Sequence, residues 1–225
     1  MKKISLLLTL LILFSCQNNE NKSADNLPGR LGNPEMTLKE DPRVIPQVAK
    51  ALATFGMDGF APNPVLTMDA SDEEKVAYMT SLEPVYENVF KDWFSELPEV
   101  EGVEQTTETI VGVDNNEIKL YIHRPTDQKN DIPGILHIHG GGMSIMKAEN
   151  INYTRWRDDL ASTGLVVVGV EFRNVAGGLG NHPFPAGLND CSSALQWMFD
   201  NKEKLGVSKI IISGESGGGN LTLAT

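Results

Sequence analysis

The stretch Lys209-Ile210-Ile211-Ile212-Ser213-Gly214-Glu215-Ser216-Gly217-Gly218-Gly219-Asn220-Leu221 decides the fold. Its isoleucines read as a buried strand, and the strand runs straight into Gly-x-Ser-x-Gly with no intervening loop. A serine on so sharp a strand-to-helix turn is held in a strained backbone, and its hydroxyl is lifted clear of the sheet. Glycines on either side let neighbouring backbone close in where a Cβ would obstruct it. The helix that starts at Gly217 directs its unpaired N–H groups and positive dipole end toward charge developing beside Ser216.

Upstream, the apolar run Ile132 to His139 ends in His139-Gly140-Gly141-Gly142. Glycines at such a strand end leave backbone N–H groups accessible to a substrate oxygen, which is how an oxyanion is held. Ser216 is therefore the candidate nucleophile, and the N–H groups of Gly141, Gly142 and Gly217 are the candidate oxyanion donors. His139 and Gly140 belong to the same loop motif, and His139 is read as a brace for that loop rather than as a general base.

Between these motifs the chain alternates strand and helix. Thr109–Val113 and Glu117–His123 read as a hairpin about Asp114-Asn115-Asn116, whose side chains tolerate tight turns. Tyr153, Trp156 and Leu160 have helical spacing, Leu165–Val170 is a near-continuous strand, and a helix is expected from about Pro185 to Leu205. That alternation indicates a mostly parallel sheet covered by helices on both faces. Cys191 shares a helical face with Leu188, Leu195 and Met198, so it is read as a core thiol. Residues 41–100 look helical, with a capping box at Ser71-x-x-Glu74 and a second helix opened by Pro84. They are assigned as an N-terminal cap segment, the alternative being a helical decoration packed elsewhere on the domain.

Length and composition fit one soluble α/β domain: 225 residues, 40% hydrophobic and 22% charged. A net charge of −11 argues against nucleic acid as a partner, since phosphate binding requires an excess of Lys and Arg. The N-terminus has the form of a processed signal: Lys2 and Lys3, then the apolar run Ile4–Phe14, too short to span a bilayer as a helix. Leu13-Phe14-Ser15-Cys16 resembles a bacterial lipobox, which predicts a signal peptide over 1–15, lipid on Cys16 and a location in the cell envelope, facing the periplasm or exterior. Residues 16–40 are polar and read as a flexible tether; the partial catalytic domain is assigned to 101–225. No cluster of His, Cys, Asp and Glu has metal-ligand spacing, and the chemistry needs no cofactor.

Taken together, His139-Gly140-Gly141-Gly142, Glu171-Phe172-Arg173, His182-Pro183-Phe184-Pro185-Ala186, Asp190-Cys191 and the Ser216 turn resemble the hormonesensitive-lipase-like carboxylesterases, in the fold-3 group of the α/β-hydrolases. The resemblance implies an α/β-hydrolase fold with a helical cap, Ser216 as nucleophile and an acyl-enzyme route for carboxylic esters. Met143, Gly217, Glu171 and Glu215 depart from the residues more common in that family, which have an aromatic, Ala, Asp and Asp there. Two other readings stay open: a prolyl-oligopeptidase-like serine peptidase, and an inactive ligand-binding lipoprotein on the same fold. Substrate preference and oligomeric state are not encoded in these motifs.

In this fold an acidic residue and then a histidine follow the serine. After Ser216 this sequence contains neither, and His123, His137, His139 and His182 all precede it. The expectation is a chain lacking the later strands, the triad acid and the histidine. The 225-residue polypeptide expressed alone should leave p-nitrophenyl esters intact; turnover abolished by Ser216→Ala would require an upstream histidine as base.

Overall fold

A computed structural model of the chain describes residues 32–60, 65–129 and 131–225. These fall into two compact units, divided after residue 63. Cys16, the signal peptide assigned to 1–15 and most of the tether assigned to 16–40 lie outside the described residues. Among the described residues, no helix is long and apolar enough to cross a membrane.

Within the first unit the Lys39 N–H donates to the Asp58 carbonyl at 3.3 Å. At the end of the stretch read as tether, Leu38–Glu40 forms a 3-10 turn in which Thr37 and Glu40 cap each other. Helix α1 (Pro46–Ala53) opens on a proline, whose missing N–H is not needed in a first turn, and it buries no residue. The cap segment assigned to 41–100 is thus divided, its first part lying here and its second in the other unit.

That second part is one long helix, α2 (Asp72–Phe94), opened by the predicted Ser71/Glu74 capping box. Three acidic residues in its first turn and Lys91 in its last complement the helix dipole. Pro84 does not start a second helix as expected; it sits inside α2. Tertiary anchors outweigh the one backbone bond that proline removes. Val76, Met79, Leu82 and Phe90 pack against Ile145, Met146, Tyr153 and Ala176. The Thr80 hydroxyl donates to the Ala176 carbonyl at 2.7 Å, and buried Glu83 accepts the Met146 N–H at 2.8 Å.

A five-stranded sheet forms the centre, in the order β1 (Val103–Val111), β2 (Glu117–Pro125), β4 (Val166–Val170), β3 (Ile132–Ile138), β5 (Val207–Gly214). It is mixed: β3 pairs parallel with β4 and β5, whereas β1, β2 and β4 pair antiparallel. The hairpin turn is where it was expected, with Asn115 at φ 61°. Strand β1 begins six residues earlier than its apolar pattern suggested, because Glu104 to Thr107 are exposed polar residues on an edge strand.

Helices cover both faces. On one, Ile118, Leu120, Ile122, Leu136, Val166 and Val168 pack with Cys191, Ala194 and Met198 of α4 (Ala186–Asp200). Burial raises the Cys191 thiol pKa far above its ordinary value, as a core position requires. On the other, Ile135 and Val167 pack with Ala161 of α3 (Ile151–Ser162). The helix expected over 185–205 breaks at Asn201, whose side chain donates to the Trp197 carbonyl at 2.8 Å, and resumes as α5 (Lys202–Leu205). Helix α6 (Gly217–Ala224) follows β5 directly and sets Leu221 into the aliphatic core.

Candidate active site

Strand β5 hands over to α6 through two residues, Glu215 and Ser216. The serine is exposed and its backbone is at φ 53°, ψ −120°, a region that ordinary L-residues avoid and that costs about 1–3 kcal/mol. Surrounding glycines make the turn possible. A Cβ on Gly214 would lie 2.5 Å from the Gly218 carbonyl carbon, and one on Gly218 would overlap the carbonyl oxygens of Ile138 and His139.

The glycine loop lies directly against this turn. A Cβ on Gly217 would stand 2.8 Å from the Met143 nitrogen and 2.9 Å from the Gly142 Cα. The two motifs therefore meet at van der Waals contact, backbone against backbone. An alanine, the commoner residue at 217 in the resembled family, would have to push the loop back. Gly141 (φ 99°), Gly142 (φ 66°) and Met143 (φ 60°) all adopt left-handed conformations. No hydrogen bond among the described residues engages the Gly141 or Gly142 N–H, which leaves both donors for a ligand. From behind, the loop is held by the Val175 and Ala176 N–H groups on the Met143 and Ser144 carbonyls, and by the Asn174 amide on the Met146 carbonyl.

His139 is fully buried, stacked on Phe172 at 4.2 Å between ring centroids, and its Nδ1–H donates to the Gly140 carbonyl at 2.8 Å. Burial pushes its pKa down to about 3, so the ring is neutral at physiological pH. His137, two residues earlier within β3, is likewise buried and shifted downward by desolvation, and it bonds Glu215 through Nε2 at 3.1 Å. His182 contacts the Leu179 carbonyl at 2.8 Å.

The sequence did not disclose a buried polar seam on the α3 face of the sheet. Arg157 is fully buried; its Nε donates to His123 Nε2 at 2.9 Å, and its Nη2 donates to the Ala148 carbonyl at 2.8 Å. His123 then donates from Nδ1 to Asp158 at 2.7 Å, so both ring nitrogens are committed to a neutral tautomer. Gly169 makes the space, since a Cβ there would lie 2.8 Å from Arg157 Nη1. That isolated glycine in a valine strand was the available signal of a close approach. Beside the seam, burial raises Glu171 to about 7.

Arg173 explains why Glu171-Phe172-Arg173 and Asp190 occur together. Its guanidinium forks onto the buried Asp190 carboxylate at 2.9 Å and bonds Asp114 at 2.6 Å, tying the segment after β4 to α4 and to the hairpin turn. Between that segment, the glycine loop and α6 lies a mainly apolar cavity of about 300 Å³. Gly142, Met143, Val175, Phe184, Leu188 and Leu221 are among its lining residues.

The BD-FAE family model matches residues 120–225. Carboxylesterase NlhH of Mycobacterium tuberculosis is 31% identical over 129 residues, 56% of this chain and 38% of that protein. Lipase 2 of a Moraxella species is 29% identical over 120 residues, covering 50% of this chain and 27% of that protein. Among solved structures, brefeldin A esterase, a bacterial homologue of human hormone sensitive lipase, superposes with a TM-score of 0.76. It is 40% identical, over 88% of this chain and 55% of its own. Esterase Est22 gives a TM-score of 0.66 at 34% identity, over 83% of this chain and 56% of its own. The chain has an α/β-hydrolase fold, shared with brefeldin A esterase and Est22, and it spans little more than half the length of these solved structures.

Gly218→Ala should drive a methyl group into the Ile138 and His139 carbonyls. Overpacking of this kind costs about 1–3 kcal/mol, readable as a lowered midpoint in denaturant unfolding.

Proposed function

We propose that this polypeptide supplies the nucleophile and the oxyanion hole of a serine carboxylesterase. One observation carries the reading: Gly217, at the start of α6, touches Gly142 and Met143 of the glycine loop, immediately beside the strained Ser216. A carbonyl placed there would face the serine hydroxyl on one side and the N–H groups of Gly141, Gly142 and Gly217 on the other. Each such donor is worth about 2.7–4 kcal/mol in the transition state.

In the proposed route, Ser216 Oγ attacks the ester carbonyl carbon and its proton passes to a general base. The carbonyl electrons collapse onto the oxygen held by the glycine N–H groups. They return as the alcohol leaves, carrying that proton, and Ser216 is left acylated; water then releases the acid by the same steps. The base is none of the described histidines that are buried and engaged. It is assigned, with its carboxylate, to the part of the relatives' length that this chain does not span. The cavity beside Gly142 suits an apolar acyl chain. The esterase reading is favoured over a peptidase because the glycine loop accompanies the serine turn, and over an inactive binding protein because both are intact.

In the whole protein, Ser216→Ala should abolish both turnover of a p-nitrophenyl acyl ester and labelling by a fluorophosphonate. Faster cleavage of an aminoacyl amide than of the ester would favour the peptidase, and an unlabelled wild type would favour the binding protein.

We further propose attachment to the cell envelope through lipid on Cys16, on the strength of Lys2-Lys3, the apolar run to Phe14 and Leu13-Phe14-Ser15-Cys16. A single acyl chain binds membranes weakly, so stable anchoring takes more than one. Cys16→Ala should move the protein from the membrane fraction to the soluble fraction; unchanged partition would remove the anchor.

A further inference from the structure

Glu215 stands one residue before Ser216, and the proposed reaction gives it no task. Its side chain turns back onto the glycine loop: Oε1 accepts the Gly140 N–H at 3.0 Å, and Oε2 accepts the Nε2–H of His137 at 3.1 Å. His137 is a fixed partner, 1% exposed, its ring 4.5 Å from that of Trp156 and 5.9 Å from that of Tyr153. The Glu215 carbonyl meanwhile accepts the Gly218 N–H at 2.9 Å, inside the serine turn. One residue thus bonds both halves of the site.

We propose that Glu215 is a positioning residue that clamps the glycine loop to the nucleophile turn, so that the Ser216 hydroxyl and the Gly141 and Gly142 N–H groups are held as one rigid unit. The inference rests on the esterase reading of this site. Each peptide unit is planar, so a bond to one of its atoms orients the whole plane. Glu215 holds the 139–140 peptide through the Gly140 N–H. His139 holds the 140–141 peptide through the Gly140 carbonyl, which aims the Gly141 N–H the opposite way. Gly141 and Gly142 adopt φ of either sign at no steric cost, so the direction of the run they open is inherited from these two planes. A carboxylate is not required as a charge. Beside a forming oxyanion a negative group would repel, and Glu215 acts through its acceptor geometry. Burial pushes its pKa up, but the His137 hydrogen bond and charge and the Gly140 N–H outweigh that and hold it below the ordinary value, so both acceptors persist at neutral pH.

The test uses the whole protein with Glu215→Ala and Glu215→Gln, the latter keeping an oxygen for Gly140. Turnover of p-nitrophenyl butyrate, thermal unfolding and exchange of the Gly140 amide by NMR are measured together. Loss of the clamp in the alanine variant should lower kcat by about 10²-fold, the effect of one misplaced oxyanion donor, with KM changed less than about threefold. Its Gly140 amide should exchange at least about tenfold faster at an unchanged unfolding midpoint. The glutamine variant should stay within about tenfold of the wild-type kcat. Unchanged Gly140 exchange in the alanine variant, or a glutamine variant as slow as the alanine one, would overturn the clamp. If the alanine variant fails to fold, the glutamine kcat and exchange decide. A wild type that neither turns over ester nor reacts with a fluorophosphonate would sink the esterase reading instead, and the exchange comparison would still judge the clamp.

Discussion

Everything at the site follows from the parallel pairing of β3 with β5. His137 lies opposite Ser213 and Ile138 opposite Gly214, so the two strands end level with each other. Their exits, the glycine loop and the serine turn, are therefore released side by side at one edge of the sheet. Glycines at 214, 217 and 218 convert that adjacency into backbone contact. A shift of one residue in the pairing would send the two exits to different heights, and every downstream contact would be lost.

The two faces of the sheet divide the labour. The α4 face is aliphatic and carries the larger cluster of buried apolar side chains, stabilised at roughly 25 cal/mol per Å² removed from water. The α3 face carries His123, Arg157, Asp158 and, nearer the site, His137 and His139. Polar groups packed this deeply are costly unless paired. Here most are paired with each other or with backbone, and the pairs run up to the glycine loop. Helix α2 closes the same region from behind through Glu83 and Thr80. The loop is thus held by the helix on its outer side and by the sheet's polar seam on its inner side.

The fold was legible where side-chain chemistry and strand period coincide. Ser216, the glycine loop, the valine strand and the hairpin turn all carry local signals, and the expected elements stand at those places. Legibility failed where tertiary contacts override local preference. Pro84 is a helix opener by propensity, yet the bonds at Thr80 and Glu83 keep α2 continuous through it. The polar edge of β1 has no apolar alternation to read. The seam around Arg157 joins residues distant in sequence, and Glu215 looks like an ordinary acidic residue until Gly140 and His137 are placed beside it.

Gly169 has a structural consequence beyond the room it makes. Val166-Val167-Val168 is chemically monotonous, and a strand of identical residues could slide along its neighbours with little change in burial. The guanidinium of Arg157 fits over only one position of that strand, the one without a side chain. Arginine and glycine act as key and keyhole: a slipped strand would present a valine to a buried cation and strand its charge. Uniqueness of the native alignment is therefore written into a charged side chain and a missing one rather than into the valines.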